Sequence, residues 1–176
     1  MLFLKIFTVF TFAANLAFAA TAGVKTHKNE KFKYSLSAPE KWAVQEIKDA
    51  TSPVKLNLWG DDKKVSMILM VSENDAKTTS VDFLKSMESA RNLKNKLKAD
   101  QSAVNSAQLK KWNVSEGSRA EYELTGKGPN FPVIQKTLVL KKAKLIYAII
   151  FAYPKADESK FKKSLADVEI SFRALD

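Results

Sequence analysis

The amino-acid sequence predicts an α+β domain in which an antiparallel β-sheet is covered by helices. Three observations lead to this class. Most apolar segments alternate with polar residues at period two and come in pairs separated by turn residues, as β-hairpins do. Two other segments repeat apolar residues at helical spacing. Residues 145–153 are apolar on both faces of a strand, so that strand needs a covering layer on each side.

The first nineteen residues have the composition of a cleavable secretory signal peptide. Lys5 gives a positive start, residues 6–14 form an apolar stretch, and residues 17–19 are the small-x-small pattern that signal peptidase cleaves. The apolar stretch is shorter than the roughly 20 residues of a membrane-spanning helix. We therefore predict cleavage between Ala19 and Ala20, a periplasmic or secreted mature protein, and no transmembrane segment after cleavage.

Residues 20–30 are small and polar and show no periodicity, which predicts a flexible leader. A single folded domain is then expected over residues 31–176, a length typical of one domain.

The first half of this domain predicts four strands followed by a helix. Strands are expected at residues 32–37 and from residue 42, and residues 54–58 and 65–71 form a hairpin around a turn at residues 60–62. Thr79 or Ser80 then caps a helix, and Asp82 completes a capping-box pattern with Thr79. The predicted apolar face of this helix consists of Phe83, Met87, Ala90, Leu93 and Leu97.

The second half predicts four more strands, a short helix and a last strand. The predicted strands are residues 108–114, 119–124, 133–140 and 145–153, with a turn at Gly117, a loop at residues 126–130 and a tight lysine-rich turn at residues 141–144. The short helix starts at Asp157 and directs Phe161 and Leu165 to one side. Val168, Ile170 and Phe172 alternate, which predicts the closing strand.

Packing residues at both ends of the domain carry a resemblance to a known group. These residues are Phe32, Tyr34, Leu36, Pro39 and Trp42 at the start, and Leu165, Val168, Ile170, Ser171 and Phe172 at the end. Together with the helix after four strands, they resemble the PsbP-like superfamily, which includes DcrB-like periplasmic proteins. The resemblance implies an α-β-α sandwich around an antiparallel sheet and, in most members, binding or assembly without catalysis. It supplies no shared catalytic motif, so no functional residue is transferred.

The residue inventory argues against several kinds of catalytic and metal site. The chain has no cysteine, which excludes disulfides, thiol catalysis and thiolate metal sites. His27 is the one histidine, and the predicted leader would leave it exposed to solvent, where it cannot serve a catalytic triad. We therefore predict no catalytic residue, no cofactor and no metal site.

Two sets of side chains have both a functional and a packing interpretation. Glu121 and Glu123 share one face of a strand with Arg119, and paired carboxylates can act as acid and base or bind a cation. A solvated edge strand with an ion pair explains them more simply. Trp59 and Trp112 are near lysines and could form a binding patch, but packing beneath a helix or at a sheet edge is the favoured interpretation.

Charge is the global feature that points to a partner. The formal net charge is +10, and Lys and Arg total 29, of which three are arginines. A basic protein favours anionic partners, but phosphate recognition favours arginine, so we expect no nucleic acid. If the lysine-rich turn approaches the last helix, a patch for an anionic surface forms from Lys141, Lys142, Lys144, Lys160 and Lys163. Dispersed solubilising charge is the alternative, and the scarcity of arginine and of a clear aromatic platform favours it.

These observations favour an exported, non-catalytic binding or accessory protein of the bacterial periplasm, with an unknown protein or envelope component as its partner. One alternative is an envelope-associated protein that docks on anionic lipid or glycan through its lysines. The other is a hydrolase or transferase whose acidic residues meet in space.

Overall fold

In the computed structural model, the structure is described for residues 23–60, 63–90, 96–124 and 132–176. The strands are β1 (Val24–Asn29), β2 (Tyr34–Pro39), β3 (Ala43–Glu46), β4 (Val54–Gly60), β5 (Val65–Glu73), β6 (Lys96–Ala103), β7 (Glu116–Leu124), β8 (Val133–Lys142), β9 (Leu145–Pro154) and β10 (Arg173–Ala174). The helices are α1 (Ser80–Ala90), α2 (Ser106–Trp112) and α3 (Glu158–Ser171), with a 3₁₀ turn at Lys155–Asp157.

Across these ranges the strands form two antiparallel sheets. The large sheet has the order β3-β4-β5-β9-β8-β7-β6, and the small sheet has the order β1-β2-β10. The predicted hairpins are both present: β4 pairs with β5, and β8 pairs with β9 in register from Lys142↔Leu145 to Val133↔Pro154. The hairpin order of the sequence therefore builds most of the large sheet directly.

The large sheet is covered on both faces, which confirms the α+β class and the α-β-α layering. One face packs against α1 through Leu84, which contacts a buried cluster that includes Tyr122 and Val139. The opposite face packs against α3 and the small sheet. There, the Tyr147 and Phe172 rings meet edge to face at 5.2 Å, and Tyr147 Oη donates to Lys33 O at 2.9 Å. The strand β9 supplies both faces, as its sequence predicts.

The N-terminal leader prediction is wrong from Val24 onward, because Val24–Asn29 form β1. This strand pairs with β2 along its whole length, with His27 opposite Leu36. Its side chains are mostly exposed, so the segment has no apolar alternation to reveal it. Main-chain hydrogen bonds to β2, the next strand along the chain, hold it in place across a turn at residues 30–33, and this pairing does not require apolar side chains in β1.

The predicted strand at residues 108–114 is instead part of α2. Asn105 caps this helix by accepting a hydrogen bond from Gln108 N through its side chain, and Asn113 ends it in the left-handed conformation. Gly117 lies inside β7 and makes no turn. A Cβ on Gly117 would lie 2.9 Å from the Leu140 side chain and 3.1 Å from that of Leu109, so glycine allows α2 to approach the sheet.

Two helix boundaries also differ from the prediction. The capping box of α1 is present, with Thr79 Oγ1 donating to Asp82 Oδ2 at 2.7 Å, but α1 ends at Ala90 and Leu97 lies in β6. In α3 the helix continues through Ser171, so Val168 and Ile170 are helical. Phe161, Leu165 and Val168 have i, i+4, i+7 spacing, which buries one helix face and prevails over the period-two pattern, whereas Ile170 lies on an exposed side of the helix.

Some predicted features lie outside the described residues. These are the signal peptide at residues 1–19, the cleavage site before Ala20, the turn residues 61–62, Leu93 and the loop at residues 126–130.

Candidate functional site

A cleft of about 370 Å³ opens between α3 and the large sheet. Its floor comes from β7, β8 and β9, and α3 forms one wall. Ser102 of β6 and Gln108 of α2 border it as well. We call this site the α3 cleft and define it by its charged residues, Arg119, Glu121, Lys136, Lys162 and Glu169, around the apolar residues Leu138, Phe151, Leu165, Ala166 and Ile170.

The period-two pattern of β7 decides which residues reach the cleft. Ala120 and Tyr122 are buried beneath α1, while Arg119 and Glu121 lie on the opposite face towards α3. The pairing of β7 with β8 then places Arg119 opposite Leu138 and Glu121 opposite Lys136. Directly opposed residues point to the same side of a sheet, so β7 and β8 present alternating charged and apolar positions to the cleft.

An ion pair closes one end of the cleft. Arg119 Nη2 donates to Glu169 Oε1 at 2.7 Å, and the guanidinium carbon lies 5.9 Å from the centre of the Trp112 ring. Trp112 Nε1 donates to Glu169 O at 3.0 Å, so α2, α3 and β7 are tied together here. Burial raises the pKa of the Glu169 carboxyl, and the nearby Arg119 charge opposes this shift without cancelling it.

A second group of charges lies at the other end of the cleft. Lys136 Nζ is 3.3 Å from Glu121 Oε2 and 3.3 Å from Glu158 Oε1. The Tyr153 ring centre lies 5.7 Å from the same ammonium group. Burial lowers the pKa of Lys136, but the interactions with Tyr153 and Glu121 outweigh burial and raise it overall. Lys136 therefore stays protonated across the physiological pH range.

The helical spacing of α3 presents Lys162, Ala166 and Ile170 to the cleft on one stripe, each four residues from the next. Lys162 and Ala166 are exposed, and Ile170 is 44% exposed, one of three exposed large apolar side chains in the described part of the chain. Leu165 lies deeper in the wall and is buried. This wall thus combines a cation at one end with exposed apolar surface along its length.

The prediction of a solvated edge for the Glu121 strand is wrong. The strand β7 lies inside the large sheet because β6 pairs with its outer side. The two glutamates do not act together: Glu121 pairs with Lys136, and Glu123 pairs with Lys155 at 2.6 Å outside the cleft. A carboxylate pair poised for acid-base work is therefore not what this face contains, since the two glutamates pair with different lysines.

The five lysines of the predicted anionic-partner patch are divided between two places. Lys141 is 8% exposed, and its Nζ donates to Ala76 O at 2.7 Å and lies 3.2 Å from Glu116 Oε1. Lys142 Nζ pairs with Asp176 Oδ1 at 2.6 Å. Lys144 is exposed at the turn. Two of the three lysines in this turn thus hold the protein's own structure together.

Lys160 and Lys163 are exposed near the start of α3, which lies towards the opposite end of the β8–β9 hairpin. The contact of Glu158 with Lys136 fixes this end, whereas Lys141 and Lys142 lie at the hairpin turn. Several strand residues, at about 3.3 Å each, separate the two groups. The patch therefore does not form as one surface, and anion binding by Lys144, Lys160 or Lys163 stays a prediction.

His27 is not the solvated leader residue that the sequence predicts. It is 5% exposed, its Nδ1 lies 3.6 Å from Glu46 Oε1, and its Nε2 has no hydrogen-bond partner among the described residues. Trp112 is 1% exposed, which agrees with the packing interpretation, and Trp59 is partly buried on β4. Within residues 23–60, 63–90, 96–124 and 132–176, no three His, Asp or Glu side chains gather as metal ligands.

None of the helices in the described part of the chain is long and apolar enough to cross a membrane.

Comparisons with known proteins give a likeness of fold. The structure is similar to that of cyanobacterial PsbP (CyanoP) from Synechocystis sp. PCC 6803, with a TM-score of 0.61 and 14% identity over 92% of this chain and 98% of that chain. It is also similar to LpqN, a protein involved in cell envelope biogenesis of Mycobacterium tuberculosis, with a TM-score of 0.53 and 11% identity over 88% of this chain and 91% of that chain.

A protein from Bacteroides thetaiotaomicron VPI-5482 matches with a TM-score of 0.56 and 11% identity over 86% of this chain. The match spans 48% of that longer protein, or about half its length. No protein-family model matches the sequence, and no curated protein matches it. The resemblance carried by the two ends of the sequence is confirmed at the level of architecture, and the chain has the PsbP-like α-β-α sandwich fold.

Proposed function

We propose that this chain is an exported, non-catalytic binding or accessory protein whose binding site is the α3 cleft. The observation that carries the proposal is the construction of the cleft. It is an open space with exposed apolar surface, and four of its five charged residues are held in position by ion pairs between separate elements. Preorganised polar groups around an apolar floor are typical of ligand sites.

The charge pairing favours binding over catalysis. A general base must be free to take a proton, and a nucleophile needs such a base beside it. Glu169 is engaged with Arg119, and Glu121 is engaged with Lys136. These pairs fix the cleft walls and neutralise the carboxylates, which suits a site that holds a partner without transforming it.

Export is supported by the composition of residues 1–19, and an accessory role is supported by the fold. The similar structures include CyanoP and LpqN, the second of which is involved in cell envelope biogenesis in its own organism. An envelope component is therefore the kind of partner that we propose for the cleft.

Export is tested by fractionating cells and measuring the intact mass of the protein. We expect the mature chain to begin at Ala20 and to lie outside the cytoplasm. A chain that retains Met1, found in the cytoplasm or in the membrane fraction, would contradict this part of the proposal.

Occupation of the cleft is tested by photo-crosslinking in intact cells. The photoreactive residue p-benzoylphenylalanine is introduced at Ala166, which is exposed in the cleft wall, and in a control at Ser89, which is exposed on α1. We expect a defined adduct from position 166 and none from position 89. Equal adduct formation at both positions, or none at position 166, would contradict a binding role for the cleft.

A further inference from the structure

We propose that the α3 cleft binds a small amphipathic carboxylate, a molecule with one negative charge and a short apolar chain. This inference rests on the proposed function and specifies the ligand class of the same site. The juxtaposition that carries it is one cation of the lining without an ion-pair partner among the described residues, Lys162, beside exposed apolar surface on α3 and above an apolar floor.

The one lysine of the cleft lining that lacks an ion-pair partner among the described residues selects a monoanion. The described lining contains the cations Arg119, Lys136 and Lys162 and the anions Glu121 and Glu169. Arg119 pairs with Glu169, and Lys136 lies 3.3 Å from both Glu121 and Glu158, the second of which is outside the lining. In the part of the chain that the structure describes, no carboxylate lies within ion-pair distance of Lys162. Lys162 is therefore the lining cation that is left to pair with a ligand.

The charged residues of the cleft also disfavour ligands in other charge states. A dianion such as a phosphate monoester would bring a second negative charge close to Glu121 and Glu169, and like charges repel strongly where solvent is partly excluded. A cation would meet Lys162 with no free carboxylate to offset it. A carboxylate instead finds the ammonium group of Lys162, which can donate up to three hydrogen bonds.

The apolar surfaces of the cleft determine the nature and length of the uncharged part of the ligand. Ile170 is 44% exposed and follows Ala166 along the wall, while Leu138 and Phe151 form the floor. The volume of about 370 Å³ lies near the lower end of the roughly 300–1,000 Å³ found for small-molecule sites. The apolar part of the ligand is therefore short, and an eight-carbon chain is a suitable probe.

The test is calorimetric titration of the purified protein with octanoate, octylamine and octyl phosphate. We expect octanoate to bind with a dissociation constant of about 1 mM, as for a ligand of this size. Octylamine and octyl phosphate should each bind at least about fivefold more weakly. Higher salt should weaken octanoate binding, because the recognised charge is partly exposed.

Adjacent lysines on α3 offer a matched pair of variants. Lys162 lines the cleft, whereas Lys163 is exposed but is not part of its lining. We expect Lys162→Gln to weaken octanoate binding by about fivefold to tenfold and Lys163→Gln to leave it within about twofold. Ala166→Trp should abolish binding by filling the cleft, with circular dichroism confirming that this variant folds.

Three results would overturn the proposal: no octanoate binding, equal binding of octanoate and octylamine, or equal effects of the two lysine variants. Crosslinking at Ala166 distinguishes failure of this ligand class from failure of the proposed function. A defined adduct at position 166 in cells, together with no octanoate binding, would mean that the cleft is a binding site for a different class of partner.

Discussion

The two faces of the large sheet are formed by the same strands but are packed differently. Towards α1 the sheet presents a closed apolar layer whose buried members are Leu84, Ala120, Tyr122, Val139, Ile146 and Ala148. Towards α3, the strands β7 and β8 present charged residues and an open cleft. In β7 a single alternation sends Tyr122 to the closed face and Glu121 to the open one. Packing thus fixes one face, and ion pairs keep a shaped space on the other.

The difference between the two faces is first tested by large-to-small substitutions on each face. Leu84 is 2% exposed beneath α1, and Leu165 is 5% exposed beneath α3. We expect Leu84→Ala and Leu165→Ala each to lower the free energy of unfolding by about 2–5 kcal/mol, because each leaves a cavity in a packed layer. Urea denaturation followed by circular dichroism measures both. A cost well below about 1 kcal/mol at Leu165 would mean that α3 is only loosely held to the sheet.

A small-to-large substitution probes the packing beneath the small sheet. A Cβ on Gly60 would overlap the Trp42 ring, and Trp42 is 4% exposed. We expect Gly60→Ala to cost about 1–3 kcal/mol of stability through overpacking. Gly23→Ala is the matched control, since its Cβ would meet only the flexible carboxyl end of Glu40. Equal stabilities of the two variants would show that the Trp42 ring moves aside freely.

The Arg119–Glu169 pair on the open face makes the stability of the protein depend on pH. Burial raises the pKa of Glu169, so the folded protein binds this proton more tightly than the unfolded chain does. The contribution of the carboxyl to stability is therefore fully present below its unfolded pKa and is lost as pH rises through its folded pKa. Glu169→Gln stays neutral and escapes this loss.

We therefore expect the stability of Glu169→Gln, relative to the original protein, to rise between about pH 4 and pH 7. The exposed Glu40→Gln variant is the control. A relative stability that falls over this range would show that the Arg119 charge outweighs burial at Glu169.

The smallest effects are expected from the other glutamates of this face. Glu121 and Glu123 each pair with one lysine in partly exposed positions. Exposed ion pairs contribute little, so Glu121→Ala and Glu123→Ala should each change the free energy of unfolding by well under about 1 kcal/mol. A loss comparable to that of Leu165→Ala would show that these charges are a main support of the sheet.

The parts of the fold that the sequence predicts are those with strong local periodicity. The β8–β9 hairpin and the capping box of α1 are visible because neighbouring residues determine them. The strand β1 and the helix α2 are missed for different reasons. The first has mostly exposed side chains and depends on pairing with β2, while the second has only seven residues and is recognisable from its cap at Asn105.

The cleft was harder to predict than the fold. The alternation of β7 places Arg119 and Glu121 on one face, which is correct. Their partners, Glu169 and Lys136, are 50 and 15 residues away along the chain, and only the packing of α3 and the β7–β8 register bring them close. Lysine clustering, by contrast, suggested a patch at the hairpin turn, although Lys141 and Lys142 are engaged in internal pairs.

The most direct measurement of the difference between the two faces is thiol protection in cells. The chain has no cysteine, so Ala166→Cys and Ser89→Cys each carry a single thiol, one in the cleft and one on α1. Labelling rates with a maleimide are compared between intact cells and the purified protein. The proposed binding role predicts that Ala166→Cys is labelled several-fold more slowly in cells while Ser89→Cys is labelled equally in both. Equal rates for Ala166→Cys in cells and after purification would contradict it.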